Sequence, residues 1–249
     1  MDHEPNATPI VIDNLHKKFG EQTVLNGITL HVNRGETVAV LGRSGTGKSV
    51  LLKVIIGLQP ADSGTVKIDG QQITGLDVNH LNEVRKSVGF LFQQAALYDS
   101  LTVQENVGFP LRRHSRMSDA DLKNRVRELL HSVGMEQDLE KMPSEISGGM
   151  QKRVGLARAL ALDPEILLFD EPTAGLDPIT AAEIGKLILD LKQKRKMTAI
   201  VVTHDIRGAK VFSDRMVLIH EGNILADGPL ADLQKSKHPF VVQFLKDSS

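Results

Sequence analysis

Residues 37–52, TVAVLGRSGTGKSVLL, decide the fold of this chain. They read as an apolar strand, a glycine-rich loop and the start of a helix, and Gly42, Gly47, Lys48 and Ser49 fit the P-loop pattern G-x-x-x-x-G-K-[ST]. Glycines let successive backbone N–H groups turn inward around phosphate oxygens, and the helix start adds further unpaired N–H groups. A lysine and a serine at these positions can reach the terminal phosphates and Mg²⁺. The stretch therefore predicts a nucleotide-phosphate site in an α/β fold.

The bulk composition excludes several classes of protein. The chain has 249 residues, a formal net charge of −1 and no cysteine. It can therefore form neither disulfides nor thiolate metal sites, and we expect no nucleic-acid partner because there is no overall basic field. No apolar run approaches the about 20 residues of a membrane span, and the polar start (MDHEPNATPI, residues 1–10) does not resemble a signal peptide. Any contact with a membrane is expected to come through a partner.

Two carboxylates follow a second apolar strand. Residues 165–170 (EILLFD) and 198–203 (TAIVVT) are nearly all apolar, as expected of parallel strands that are covered on both faces. Asp170 and Glu171 lie at the end of the first. One carboxylate there can hold Mg²⁺ through water beside the P-loop, and the next can orient or deprotonate an attacking water molecule.

The remaining pattern predicts one domain over residues 1–249. Strand-like segments with turn residues between them surround the P-loop. Helices are predicted at residues 118–133 and at about 149–162, so residues 97–160 read as a mostly helical insertion. Residues 229–249 form a C-terminal tail with an apolar helical stripe, which fits docking on a neighbouring subunit and packing on its own body equally well.

Several motifs together resemble the ATP-binding cassette (ABC) transporter ATPases over essentially the whole chain. They occur in the family's order: residues 42–49 as Walker A, Gln93 as the Q-loop glutamine, residues 146–151 (ISGGMQ) as the signature, residues 167–172 (LLFDEP) as Walker B, residues 174–177 (AGLD) as the D-loop, and His204 as the switch histidine. The resemblance implies an α/β P-loop NTPase core of the RecA-like type, with an antiparallel β subdomain and a helical insertion.

The resemblance also implies a site for ATP and Mg²⁺ in a homodimer, since each ATP would lie between the Walker A of one subunit and the signature of the other. The implied catalytic residues are Lys48, Gln93, Glu171 and His204. The implied Mg²⁺ ligands are Ser49, Gln93 and Asp170. The implied ATP contacts are Phe19, Gly42, Arg43, Ser44, Gly45, Thr46, Gly47, Lys48, Ser49 and Val50, with Ser147, Gly148, Gly149 and Asp177 acting in trans. Taken alone, Phe19 fits an adenine-stacking ring and a packed ring equally well.

The signature departs from the usual LSGGQ, because Met150 stands where the family has glutamine. This variant, with residues 92–112 and 170–180, resembles the ATPases of MCE-type lipid transporters, including the maintenance-of-lipid-asymmetry (Mla) phospholipid system. The implied partners are membrane permease subunits, contacted near residues 97–110 including Tyr98, and an MCE-domain protein. The implied location is the cytoplasmic face of the inner membrane, as a peripheral subunit. Another transported substrate, or a soluble assembly machine, stays open as an alternative.

Overall fold

The computed structural model describes residues 7–247; residues 1–6, which hold most of the polar start, and residues 248–249 lie outside the described part. The strands are β1 (Ile10–Phe19), β2 (Gln22–Val32), β3 (Thr37–Leu41), β4 (Ser63–Ile68), β5 (Gln71–Gln72), β6 (Val88–Leu91), β7 (Ile166–Asp170), β8 (Thr198–Thr203), β9 (Arg215–His220) and β10 (Asn223–Gly228). The helices are α1 (Lys48–Ile55), α2 (Val78–Lys86), α3 (Val103–His114), α4 (Asp119–Ser132), α5 (Gly148–Ala159), α6 (Pro178–Arg195), α7 (Ile206–Phe212), α8 (Leu230–Leu233) and α9 (Pro239–Asp247), with a 3₁₀ turn at Pro143–Glu145.

The strands form two sheets. The larger has the order β10-β9-β3-β8-β7-β6, and all its pairs are parallel except β10 with β9. The smaller sheet, β2-β1-β4-β5, is antiparallel. Because β3, β8, β7 and β6 run in the same direction, their carboxyl ends lie at one edge of the larger sheet, where α/β proteins place their ligands.

All five residues of β3 are buried because their side chains point alternately into two different core clusters. Val38 and Val40 belong to the core cluster shared with α1 and the antiparallel sheet, whereas Ala39 and Leu41 belong to the cluster shared with α3 to α6. Side chains of a strand point to opposite faces in turn, so a strand covered on both faces must be apolar throughout. The P-loop is therefore fixed at the end of a strand that no solvent reaches.

Residues 97–160 contain three helices, of which the sequence pattern gave bounds for only two. The predicted helices at 118–133 and 149–162 are observed as α4 and α5, each with a serine N-cap, Ser118 and Ser147. Helix α3 was hidden by Pro110, which lies inside it near its C-terminal end. Thr102 and Glu105 form a capping box that begins α3, which offsets the backbone hydrogen bond that proline cannot donate.

The C-terminal stripe packs on the body of its own chain. Val241 and Phe244 on α9 are buried in the same core cluster as the helices of residues 97–160. Among residues 7–247, no helix has the length and the apolar composition that crossing a membrane requires.

Candidate active site

The P-loop glycines are required by packing as well as by conformation. A Cβ atom at Gly42 would lie 2.7 Å from the Ile219 carbonyl oxygen, and one at Gly47 would lie 2.7 Å from the Val24 side chain. Gly47 also has φ of +94°, in the left-handed region that favours glycine. The loop is thus pressed between β9 and the start of β2, and a glycine-rich loop of this kind can turn its N–H groups towards an anion.

Lys48 begins α1 and is almost wholly buried. Its Nζ donates to the carbonyl oxygens of Gly42 and Arg43 at 2.9 and 3.1 Å, and lies 3.4 Å from the Glu171 carboxylate. An ammonium group in such a place needs acceptors or a counter-charge, because burying it alone is costly. Lys48 therefore places one positive charge between the P-loop and the end of β7.

Asp170 ends β7 and meets Ser49 across the site. The Ser49 hydroxyl donates to the Asp170 carboxylate at 2.6 Å. Burial raises the pKa of Asp170, while the Ser49 hydrogen bond opposes that rise. Within residues 7–247 no group of three or more His, Cys, Asp or Glu side chains could hold a metal by itself. One hydroxyl and one buried carboxylate nevertheless fit Mg²⁺, which takes few protein oxygens and completes its shell with phosphate and water.

Asp170→Asn should make the metal-free protein more stable at neutral pH. A raised pKa in the folded state means that folding favours the protonated carboxyl. The contribution of Asp170 to the free energy of unfolding therefore falls as the pH rises through its folded-state pKa. A gain of ~1 kcal/mol would raise Tm by about 2–4 °C. Thermal unfolding in the presence of a chelator should show that the Tm of the variant exceeds that of wild type by an amount that grows from pH 4 to pH 7. A difference that does not change with pH would contradict this explanation.

Glu171 and His204 are in direct contact. His204 Nδ1 lies 2.9 Å from the Glu171 carboxylate, and the His204 backbone N–H lies 3.3 Å from the same oxygen. Glu171 has φ of +47°, an uncommon conformation for a residue with a side chain, and such strain is found most often at functional sites. Its N–H donates to the Val202 carbonyl oxygen, which ties this conformation to β8.

Gln93 and Phe19 lie at the border of this cluster. The Gln93 carbonyl oxygen accepts a hydrogen bond from Lys152, while the rest of the residue is exposed. Phe19 is about half exposed at the end of β1, with Lys17 Nζ 5.2 Å from its ring centre. It pairs with Gln22, which lines a groove of about 420 Å³ beside the P-loop residues 43–46. Phe19 is thus next to the groove in the β1–β2 pairing but is not one of its lining residues.

The signature residues pack against the start of α6. Ser147 caps α5, and a Cβ atom at Gly149 would come within 2.4 Å of the Thr180 side chain. Thr180 is in the first turn of α6, whose N-cap is Asp177. The signature and the D-loop therefore lie side by side at the N-terminal ends of α5 and α6. At α6 the Asp177 carboxylate already accepts from the N–H groups of Ile179 and Thr180, whereas the N-terminus of α5 is the kind of helix end that attracts anions.

Two important residues were missed in the sequence. Lys152 lies on α5 at a spacing of three and four residues from the buried Gly149 and Leu156, which is the signal that places it on the buried face. Asn106 is completely buried in α3 and has no comparable signal. Its amide donates to the carbonyl oxygens of Tyr98, Leu101 and Thr102 and accepts from the Tyr98 N–H, so it fixes the loop that carries Tyr98.

The C-terminal helix reaches the P-loop through one ring. The Phe240 ring stacks on His220 with centres 3.7 Å apart, and the Arg43 guanidinium lies 5.3 Å from the centre of the Phe240 ring. A guanidinium over an aromatic face at this distance is a cation–π contact. Helix α9 is therefore in contact with a P-loop side chain.

Residues 25–174 match the family model described as ABC transporter. The chain belongs to the ABC transporter family. As a member of this family it binds ATP and is an ATPase. The α/β fold of a P-loop NTPase, predicted from the sequence, is confirmed. A dimeric ATP-binding cassette bound to ADP and Pi, in a post-hydrolysis state, superposes with a TM-score of 0.83 at 36% identity, covering 89% of this chain and 98% of that one.

Two curated relatives match this ABC ATPase over nearly its whole length. The intermembrane phospholipid transport system ATP-binding protein MlaF of Haemophilus influenzae is 39% identical over 98% of this chain and 92% of its own. The probable ribonucleotide transport ATP-binding protein mkl of Mycobacterium leprae is 41% identical over 97% of this chain and 70% of its own. Both relatives are ATP-binding proteins of transport systems by name, and their names state different substrates.

Proposed function

We propose that this chain is the ATP-hydrolysing subunit of a transporter that moves phospholipid through a membrane permease. The observation that supports phospholipid as the substrate is the 39% identity to the ATP-binding protein of a phospholipid transport system, over 92% of that protein's length. The variant signature with Met150 agrees with it. The chain would act as a peripheral subunit at the cytoplasmic face of the inner membrane, together with permease subunits and an MCE-domain protein.

The contacts of the site suggest how hydrolysis proceeds. Glu171 would accept a proton from the water that attacks the γ-phosphate, since its carboxylate is held by His204 at 2.9 Å and faces Lys48 at 3.4 Å. Lys48 and His204 would offset the negative charge that develops on the phosphate. Ser49, Asp170 and Gln93 would hold Mg²⁺, which neutralises charge on the β- and γ-phosphates when bound.

The likeness to a dimeric ATP-binding cassette supports a homodimer. Phe19 and residues 42–50 would bind ATP in one subunit. Ser147, Gly148, Gly149 and Asp177 would then contact the same nucleotide from the other subunit, with the N-terminus of α5 directed at the γ-phosphate. The tight packing of Gly149 on Thr180 explains why no side chain is present at that point of the signature.

A groove beside α3 is the proposed contact for the permease. It has a volume of about 610 Å³, and its lining includes Tyr98, Phe109, Phe90 and Arg113. The Tyr98 and Phe109 rings lie 4.8 Å apart, and both side chains are more exposed than most large apolar groups of this chain. Exposed aromatic residues on a fixed loop are well suited to bind a partner, because little conformational entropy is lost.

Detergent co-purification from native membranes, with mass spectrometry of bound proteins and lipids, tests this function. Recovery of a permease, an MCE-domain protein and phospholipid is the expected result. A permease with another substrate would place the chain in a different transport class. Recovery of soluble proteins alone would leave the ATPase intact and favour an assembly machine instead.

Tyr98→Ala should lower recovery of the permease by about tenfold or more, the usual effect of truncating a buried aromatic anchor. The variant should fold normally, since Tyr98 is about half exposed. Leu58→Ala, at a similarly exposed apolar position outside the groove, is the control and should leave recovery unchanged. Equal recovery with both variants would move the permease contact away from this groove.

A further inference from the structure

Lys152 is a buried cation whose two acceptors are backbone atoms of the active site. It lies on α5 and is 5% exposed. Its Nζ donates to the carbonyl oxygen of Glu171 at 3.1 Å, and to that of Gln93. Burial lowers the pKa of Lys152, and the nearby carboxylates of Asp170 and Glu171 oppose that change. A charge in this position needs both acceptors, because losing one would leave a buried donor unsatisfied.

The two acceptors follow two neighbouring strands. Gln93 comes shortly after β6 and Glu171 directly after β7, and these strands pair in parallel, with Leu91 opposite Phe169. One ammonium group therefore joins a helix of the inserted segment to two adjacent strand ends. These ends carry the glutamine and the glutamate on which the proposed hydrolysis depends.

The bond to Glu171 also supports its unusual backbone. The Glu171 carbonyl oxygen accepts from the Ala174 N–H at 3.2 Å in addition to Lys152, and its N–H donates to Val202. A left-handed conformation at a residue with a Cβ atom persists only where surrounding contacts hold it. Lys152 is one of these contacts, so its position affects the direction of the Glu171 carboxylate.

We propose that Lys152 is a positioning residue that couples the signature of each subunit to the Gln93 and Glu171 of the same subunit. The inference rests on the proposed homodimer, in which Ser147 and Gly149 contact the partner's nucleotide. Lys152 is five positions after Ser147, a rise of about 7 Å along one stiff helix. A nucleotide that pulls on the N-terminus of α5 thus moves Lys152, and the two ATP sites of the dimer become coupled.

Steady-state ATPase assays of the full chain test this coupling. Lys152→Met keeps most of the length of the side chain and removes its donors. We expect kcat to fall by about 10- to 100-fold and the Hill coefficient for ATP to fall towards 1. Binding of a fluorescent ATP analogue should stay within about twofold, because the P-loop is untouched. Lys152→Gln retains a donor and should recover part of kcat. If the methionine variant does not fold, the glutamine variant is used for the same measurement.

Arg153→Met is the matched control on the next residue of α5. Arg153 donates to the Val133 carbonyl oxygen and pairs with Glu183, so it anchors α5 without touching Gln93 or Glu171. It should lower Tm while leaving kcat and the Hill coefficient within about twofold of wild type. A Lys152 variant that keeps the wild-type kcat and Hill coefficient would overturn the coupling but leave the proposed function intact. A wild-type chain that shows no dimer-dependent ATP turnover would overturn the proposed homodimer and the coupling with it.

Discussion

Glu171→Gln should leave ATP bound and reduce its hydrolysis by about 10²- to 10⁴-fold, the usual contribution of a general base. Glutamine keeps the shape and can still accept a hydrogen bond from His204, which lies 2.9 Å from the present carboxylate. It cannot take up the proton of the attacking water. ATP should then persist between two subunits, so size-exclusion chromatography with ATP and Mg²⁺ should show a stable dimer alongside the loss of turnover.

Glu165→Gln is the matched control for this prediction. It makes the same chemical change just before the other end of β7, where Glu165 pairs with Arg34 on the surface. Turnover by that variant should equal wild type. Fast turnover by Glu171→Gln would remove Glu171 as the base, and loss of ATP binding would show that its charge serves the fold of the site instead.

Lys48→Ala should abolish detectable ATPase activity, because the buried ammonium is the positive charge nearest to the P-loop carbonyl groups. Removing one such group commonly costs about 10²- to 10³-fold, and ATP affinity should fall as well. The alanine also leaves Glu171 without its cation, so Tm should decrease. Titration with a fluorescent ATP analogue and thermal unfolding measure the two effects separately.

The double variant Lys48→Ala with Glu171→Gln distinguishes the role of the ion pair from that of phosphate binding. If the ion pair between Lys48 and Glu171, 3.4 Å apart, stabilises the fold, neutralising Glu171 should restore much of the Tm that Lys48→Ala loses. ATP binding should not return, because no ammonium is available for the phosphates. Normal ATP hydrolysis by Lys48→Ala itself would mean that residues 42–49 are not the nucleotide site.

The sequence was most informative where residue type and strand position coincide. An apolar strand followed by a glycine-rich loop allows few folds, and Asp170 and Glu171 stand out because charge directly follows a buried strand. The side chains of Lys48, Ser49, Asp170, Glu171 and His204 are indeed brought together. Their roles in catalysis stay predictions, as do those of Phe19 and the signature residues.

The contacts that could not be predicted involve backbone acceptors at long sequence separation. Lys152 bonds to carbonyl groups 59 and 19 residues away, and every residue type offers such a carbonyl. Asn106 is hidden for a different reason: its acceptors are close in sequence, but they are again backbone carbonyl groups, here of the loop before α3. Helix α3 was missed as a unit because Pro110 normally ends a helix pattern, while a strong N-terminal cap here permits it.

The contacts of the Phe240 ring with His220 and Arg43 have a consequence for natural or proteolytic truncation. A chain cut after His238 would retain every sequence motif of the family. It would nevertheless lose the ring that contacts Arg43 and the buried Val241 and Phe244 beside it. In surveys of related genes, an intact set of motifs is therefore an incomplete measure of competence, and the last helix should be counted with them.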